Sequence, residues 1–131
     1  MRPRFNIAIS LVALMTIVWG VRFSIVQEGR RKPEYLQAMY QELNRRSFDS
    51  SLPNARVEWA DLTDSDCLGE TYQESDDLFV ILVDRNTNFM DGELLDTVQH
   101  ETCHVATWGK EQEVHGPIFQ ACMARIKRGK S

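Results

Sequence analysis

The apolar positions of this chain fall into two regimes, and the change between them comes near residue 32. From Phe5 to Val21 seventeen residues pass without a charge (FNIAISLVALMTIVWGV), apolar on every side. A helix of that length spans about 25 Å, a little short of a bilayer core of roughly 30 Å. Extension past Arg22 to Val26 completes the span, with the Arg22 stem snorkelling and Trp19 near the interface. The preferred expectation is an N-terminal apolar helix acting as a single-pass membrane anchor over residues 5–26. A cleaved signal, giving a secreted or periplasmic protein, is the alternative, but no small-x-small site follows the apolar run. A buried core helix is the third reading. Basic residues flank the run on both sides, so the side that carries the remaining chain is not assigned.

Beyond Pro33 the pattern becomes periodic. Leu36, Met39, Tyr40 and Leu43 recur at helical spacing over Glu34 to Arg46, and Ser50 to Asn54 breaks the run. Arg56 to Ala60 alternates as a strand does, Gly69 to Tyr72 is a second short strand, and Leu78 to Val83 (LFVILV) reads as the most buried one. Acidic turns, Asp61 to Asp66 and Glu74 to Asp77, separate them. Asp91 is the expected N-cap of a helix anchored by Leu94, Leu95, Val98 and Val105 and closed by Gly109. Gly116-Pro117 opens a last helix to about Arg128, with Ile118, Phe119, Cys122, Met123 and Ile126 inward. The order helix, three strands, helix, helix predicts an α+β fold with a small antiparallel or mixed sheet. Two regions follow: 1–32, apolar anchor and basic linker, and 33–131, a folded domain.

Charge sharpens that division. Residues 33–131 hold nine Lys/Arg against eighteen Asp/Glu, a net charge of −9, whereas residues 1–32 carry +5. An acidic domain is a poor match for nucleic acid. The run Arg30-Arg31-Lys32 suits either a flank touching anionic lipid or a solvated linker. Cys67, Cys103 and Cys122 form no C-x-x-C pair, which removes a zinc ribbon; each is read as a buried small thiol.

All three histidines lie within one window of sixteen residues. His100-Glu101-Thr102-Cys103-His104 is an H-E-x-x-H segment, and on a helix positions i and i+4 share a face. His100 and His104 can therefore address one metal ion, while Glu101, offset around the helix, can take a proton from a water. A catalytic zinc site usually has a third protein ligand, for which Glu111, Glu113 and His115 are the downstream candidates. The metzincin continuation needs glycine at 107 and histidine at 110; Thr107 and Lys110 exclude it. His115, at the start of the last helix, is preferred over either glutamate. Trp108 is read as hydrophobic core, and Tyr72 as a half-buried strand aromatic rather than an oxyanion donor.

His100-Glu101-x-x-His104, then Trp108, His115-Gly116-Pro117-x-Phe119 and Met123 resemble the signature of the SprT-like metalloprotease domain, the domain of the Spartan protease. Upstream, Leu43-Asn44 with Phe48 and Leu52-Pro53, Val57-x-Trp59, Gly69 with Thr71, and Ile81-x-Val83 resemble the family's first helix and three strands. The resemblance covers about residues 34–128. It implies a small zincin-like α+β domain, Zn2+ held by His100, His104 and His115, Glu101 as general base and acid, and a protein or peptide substrate cut at a peptide bond. Two rival readings accompany it: a non-catalytic zinc-binding module tethered at the membrane, and a DNA-associated protease of the Spartan type. The charge of −9 and the lack of a basic extension weigh against the second rival.

Overall fold

Proline is suited to the first turn of a helix, where its fixed φ fits and its missing N–H is not needed. Pro33 accordingly starts α1 (Pro33–Phe48), which buries Leu36, Tyr40 and Phe48. A computed structural model of the chain describes residues 32–129 together with Thr16. The fold is that of the unit Pro33–Ser131. At the exit of α1, Asp49 and Ser50 both take left-handed backbone, and the Asn44 side chain accepts the Leu52 N–H at 3.0 Å. That turn sends the chain into β1 (Asn54–Ala60).

A 3-10 turn (Thr63–Ser65) leads to β2 (Gly69–Ser75), which turns at Asp76-Asp77 into β3 (Leu78–Asp84). The sheet order is β1-β3-β2, with β1 parallel and β2 antiparallel to β3, so the sheet is mixed. β3, central and apolar from Leu78 to Val83, has Phe79, Val80, Ile81 and Val83 buried. β2 is longer than the expected Gly69 to Tyr72, running through Glu74. The Arg56 guanidinium on β1 reaches across β3 to fork the Glu74 carboxylate at 3.0 and 3.2 Å, which holds that acidic residue in the sheet.

The two outer edges differ. Gln37 of α1 covers the edge of β1: its Nε2 donates to the Ala55 carbonyl at 2.9 Å and its Oε1 accepts the Val57 N–H at 3.1 Å. The outer edge of β2 pairs with no strand among the described residues.

α2 (Asp91–Thr107) and α3 (Pro117–Arg128) complete the fold. Met90, not the expected Asp91, is the N-cap of α2, and the Glu93 carboxylate reaches back to its N–H at 3.4 Å. Asp91 instead lies in the first turn, where its charge suits the helix dipole. Gly109 follows the helix in left-handed backbone (φ 67°), as its glycine identity implies. Leu36, Tyr40, Val57, Ile81, Leu94, Val98 and their neighbours form one core between the sheet and the α1 and α2 helices. A second cluster, Phe48, Cys103, Phe119, Cys122 and Ile126, joins α1, α2 and α3.

Buried polar groups tie the strand ends to α2. The Asp84 carboxylate accepts the Leu62 N–H at 2.9 Å and the Thr87 hydroxyl at 2.6 Å. Asn88 donates to the carbonyls of Asp84 and Leu68 and accepts the Thr97 hydroxyl of α2 at 2.6 Å.

Five further expectations change. No helix among the described residues is long and apolar enough to cross a membrane, so the single-pass localisation is not supported. The anchor segment 5–26 itself lies outside the described residues, apart from Thr16. Cys103 and Cys122 are not free thiols but a disulfide joining α2 to α3 (S–S 2.07 Å), and Cys67 is free and exposed rather than buried. Trp108 is 43% exposed, with its ring edge-on to Phe79 at 5.4 Å, because the helix ends there and turns outward. Ile118, expected inward, is also 43% exposed, because its neighbour Phe119 takes the inward face of α3.

Candidate metal centre

Both α2 histidines point to one place because they stand one turn apart on the same face. The chain then leaves α2 at Gly109 and returns His115 to that face just before α3 begins. The Nε2 atoms of His100 and His104 are 3.1 Å apart, and His115 Nε2 lies 3.1 and 3.2 Å from them. Three ring nitrogens at the corners of a near-equilateral triangle are too close for each to carry a proton. The three side chains can hold a metal ion. Burial lowers the basicity of His104, to a pKa of about 4, with His100 and His115 adding to the effect. Burial also lowers His100, again with a contribution from His115. Both rings are therefore neutral near pH 7, with lone pairs free to coordinate.

Phe119 forms the floor. Its ring centroid is 4.9 Å from that of His100, 4.6 Å from His104 and 4.7 Å from His115, and the residue is buried. One aromatic on α3 thus packs against the whole triad and limits the tilt of each imidazole.

Glu111 and Glu113, the other candidates for a third ligand, are not in this group. The Glu111 carboxylate accepts the backbone N–H groups of Ile118 at 3.0 Å and Phe119 at 2.7 Å. It caps α3 from outside the helix, satisfying donors at its positive end. Gly116 allows this approach, since a Cβ there would collide with the Glu111 carboxylate. Gln120 steadies the same loop by donating to the His115 carbonyl at 3.3 Å.

Glu101 packs against β2 of the sheet and is buried. Its Oε2 accepts the Thr71 hydroxyl at 2.7 Å. Gly69, two residues earlier on the same face of β2, makes room: a Cβ at that position would lie 2.8 Å from both Cγ and Oε1 of Glu101. Burial pushes the Glu101 carboxyl up to about 7, the Glu70 charge adds to the rise, and the Thr71 hydrogen bond opposes it. Since Thr71 faces α2, its neighbour Tyr72 faces the opposite side of the sheet, away from Glu101, and is 39% exposed.

The sequence pattern located His100, Glu101, His104 and His115, and the structure brings the three imidazoles together. It did not reveal the Glu111 cap or the packing of Phe119 against all three rings. Glu111 carried a weak signal, an acidic residue shortly before a helix start, which had been read as a metal-ligand candidate. Gly69 and Thr71 were visible only as part of a strand resemblance.

A mixed three-stranded sheet, a helix bearing two imidazoles beside a buried carboxylate, and a third imidazole from the following loop define an α+β domain whose three histidines could hold a metal ion. Residues 36–130 match the SprT-like family, and the chain belongs to that family, which is associated with metallopeptidase-type domains. Among curated proteins, none matches the chain.

Proposed function

We propose that the chain is a zinc-dependent endopeptidase that hydrolyses peptide bonds in a protein or peptide substrate. The observation that carries this reading is the convergence of three imidazole nitrogens at 3.1–3.2 Å beside a buried carboxylate. The spacing fits zinc, since two nitrogens at ~2.0–2.1 Å from a tetrahedral ion lie about 3.3 Å apart. The donor set fits as well, because neutral imidazole is a preferred zinc ligand. His100, His104 and His115 would hold the ion, which when bound acts as a Lewis acid toward water and the scissile carbonyl.

The remaining chemistry belongs to Glu101. A carboxyl poised near 7 suits both halves of a proton transfer, accepting from the attacking water and donating to the leaving amine. Thr71 and Gly69 keep that carboxyl in one position between α2 and β2. The open edge of β2 suits an extended substrate, whose backbone would add as a further strand alongside Thr71. Gln37 has already capped the other edge, which leaves β2 as the free one.

The test compares wild type with Glu101→Gln in metal content and in cleavage of an unfolded protein. The expected result is about one zinc per chain in both, with cleavage in wild type alone. Equal behaviour of the two with zinc in place would make the domain a non-catalytic metal-binding module.

A further inference from the structure

A groove of about 640 Å³ lies between the β2–β3 turn, the end of α2 and one face of α3. Phe79, Trp108 and Ile118 give it an apolar part, and the last two are exposed. Four polar side chains, all exposed, also line it: Gln73 of β2, Asp76 of the turn, Lys110 after α2 and Arg125 of α3.

The charges of this lining run against those of the domain. Residues 33–131 hold twice as many acidic as basic side chains, yet the groove has two cations and one carboxylate, Asp76. Neither cation is paired with a carboxylate among the described residues. Each is held by a neutral group instead. The Lys110 ammonium donates to the Ala106 carbonyl at 2.6 Å, which fixes it at the end of α2 and leaves two further donors for a ligand. The Arg125 guanidinium lies over the Phe48 ring, 5.1 Å from its centroid. A guanidinium held by its face presents its edge, and that edge matches a carboxylate.

The groove also continues the path set out above for the substrate. Gln73 stands two residues beyond Thr71 on the same face of β2, about 7 Å further along. Trp108 stands one helical turn beyond His104, about 6 Å further along. A chain extended beside β2 at Thr71 therefore reaches the groove about two or three residues from the bond that Glu101 addresses.

Resting on the endopeptidase reading, we infer that this groove selects the substrate by an acidic residue about two or three positions from the cleaved bond. An apolar side chain of the substrate packs on Trp108 and Ile118, and a neighbouring Asp or Glu carboxylate pairs with Lys110 and Arg125. The domain's net charge repels an acidic chain elsewhere, so the two cations also fix which part of it enters.

The test uses the full zinc-loaded chain and two peptide pools of matched sequence, one with Glu and the other with Gln at each acidic position. Wild type is expected to cleave the Glu pool with a kcat/KM about tenfold higher. Mass spectrometry of the products should show Asp or Glu enriched at one position about two or three residues from the cut. In Lys110→Gln/Arg125→Gln the ratio between pools should fall to about one, and in Lys110→Glu/Arg125→Glu the enrichment should change to Lys or Arg. Circular dichroism establishes that both variants fold. Fluorescence anisotropy of labelled pools on Glu101→Gln reads the same ratio as affinity, independently of catalysis. Cleavage without a preference between pools, or a preference that survives Lys110→Gln/Arg125→Gln, would overturn the groove assignment and leave the endopeptidase reading intact. No cleavage by wild type would overturn that reading instead, and the anisotropy ratio would then decide the groove: about tenfold keeps it, about one removes it.

Discussion

Reducing the Cys103–Cys122 bridge perturbs the fold at one covalent point and leaves every side chain in place. The two cysteines are 19 residues apart in sequence, so the bridge closes a loop of about twenty residues in the unfolded chain. In the chain-entropy account such a loop stabilises the native state by about 3 kcal/mol. For a folded unit near a hundred residues, each 1 kcal/mol moves the melting temperature by roughly 4–8 °C, so reduction should lower it by about 12–24 °C. The loop contains Glu111, His115 and Phe119, so metal affinity should also fall, as α3 gains freedom to carry Phe119 off the imidazoles. The assay is urea unfolding of the full chain, followed by circular dichroism, with and without a phosphine reductant that does not strip zinc. In denaturant without reductant, a thiol reagent should count one free cysteine, Cys67. Three reactive thiols, or superimposable unfolding curves, would refute the reasoning.

Three further outcomes follow from the same contacts. Gly69→Ala places a methyl 2.8 Å from Glu101 Oε1; cleavage should fall about 10- to 100-fold as the carboxylate is displaced, with zinc content by metal analysis unchanged. Phe119→Ala empties the floor beneath the triad and should cost about 3–5 kcal/mol in chemical denaturation, with weaker zinc binding, whereas Phe119→Leu should lose less of both. Asp84 has a folded pKa below its ordinary value: burial pushes it up, but hydrogen bonds from Thr87 and from the backbone of Leu62 and Asn86 outweigh this. A depressed carboxyl pKa stabilises the fold fully above the unfolded value of about 3.9 and loses that contribution as pH falls through the folded one. The stability gap between wild type and Asp84→Asn, from urea curves at several pH values, should therefore shrink below about pH 4.

What was legible in the chain is what local spacing encodes. The α2 histidines four apart, the apolar face of α1 and the unbroken run of β3 each depend on neighbours in sequence, and their positions follow from periodicity alone. His115 was legible through its residue type and its place before Gly116-Pro117. The features that escaped depend on tertiary approach. Cys103 and Cys122 pair only because two helices cross there, and an odd cysteine count hides which two meet. Trp108 looks like core by composition, yet it stands past the end of α2, where fewer neighbours can cover it. The length of β2 depended on Arg56, which is two strands away, and an isolated acidic stretch reads as a turn without that partner. Glu111 acts only after the loop has folded back, so its carboxylate had no visible target. The burial of Gln99 on α2 is invisible for the same reason, since a glutamine on a helix is ordinarily solvated.

The three histidines are not held alike. His100 and His104 belong to a helix fastened on both sides, by the Thr97 hydroxyl to Asn88 before them and by the Cys103 bridge between them. His115 is exposed and sits on a short loop held by the Glu111 carboxylate and the Gln120 amide. The candidate centre is therefore held unequally: two imidazoles stand on one fixed helix and the third on a loop. A cation held by the three imidazoles would meet two donors on α2 and one on the loop from Lys110 to Gly116. Removing the Glu111 carboxylate would then loosen one donor and leave the other two in place.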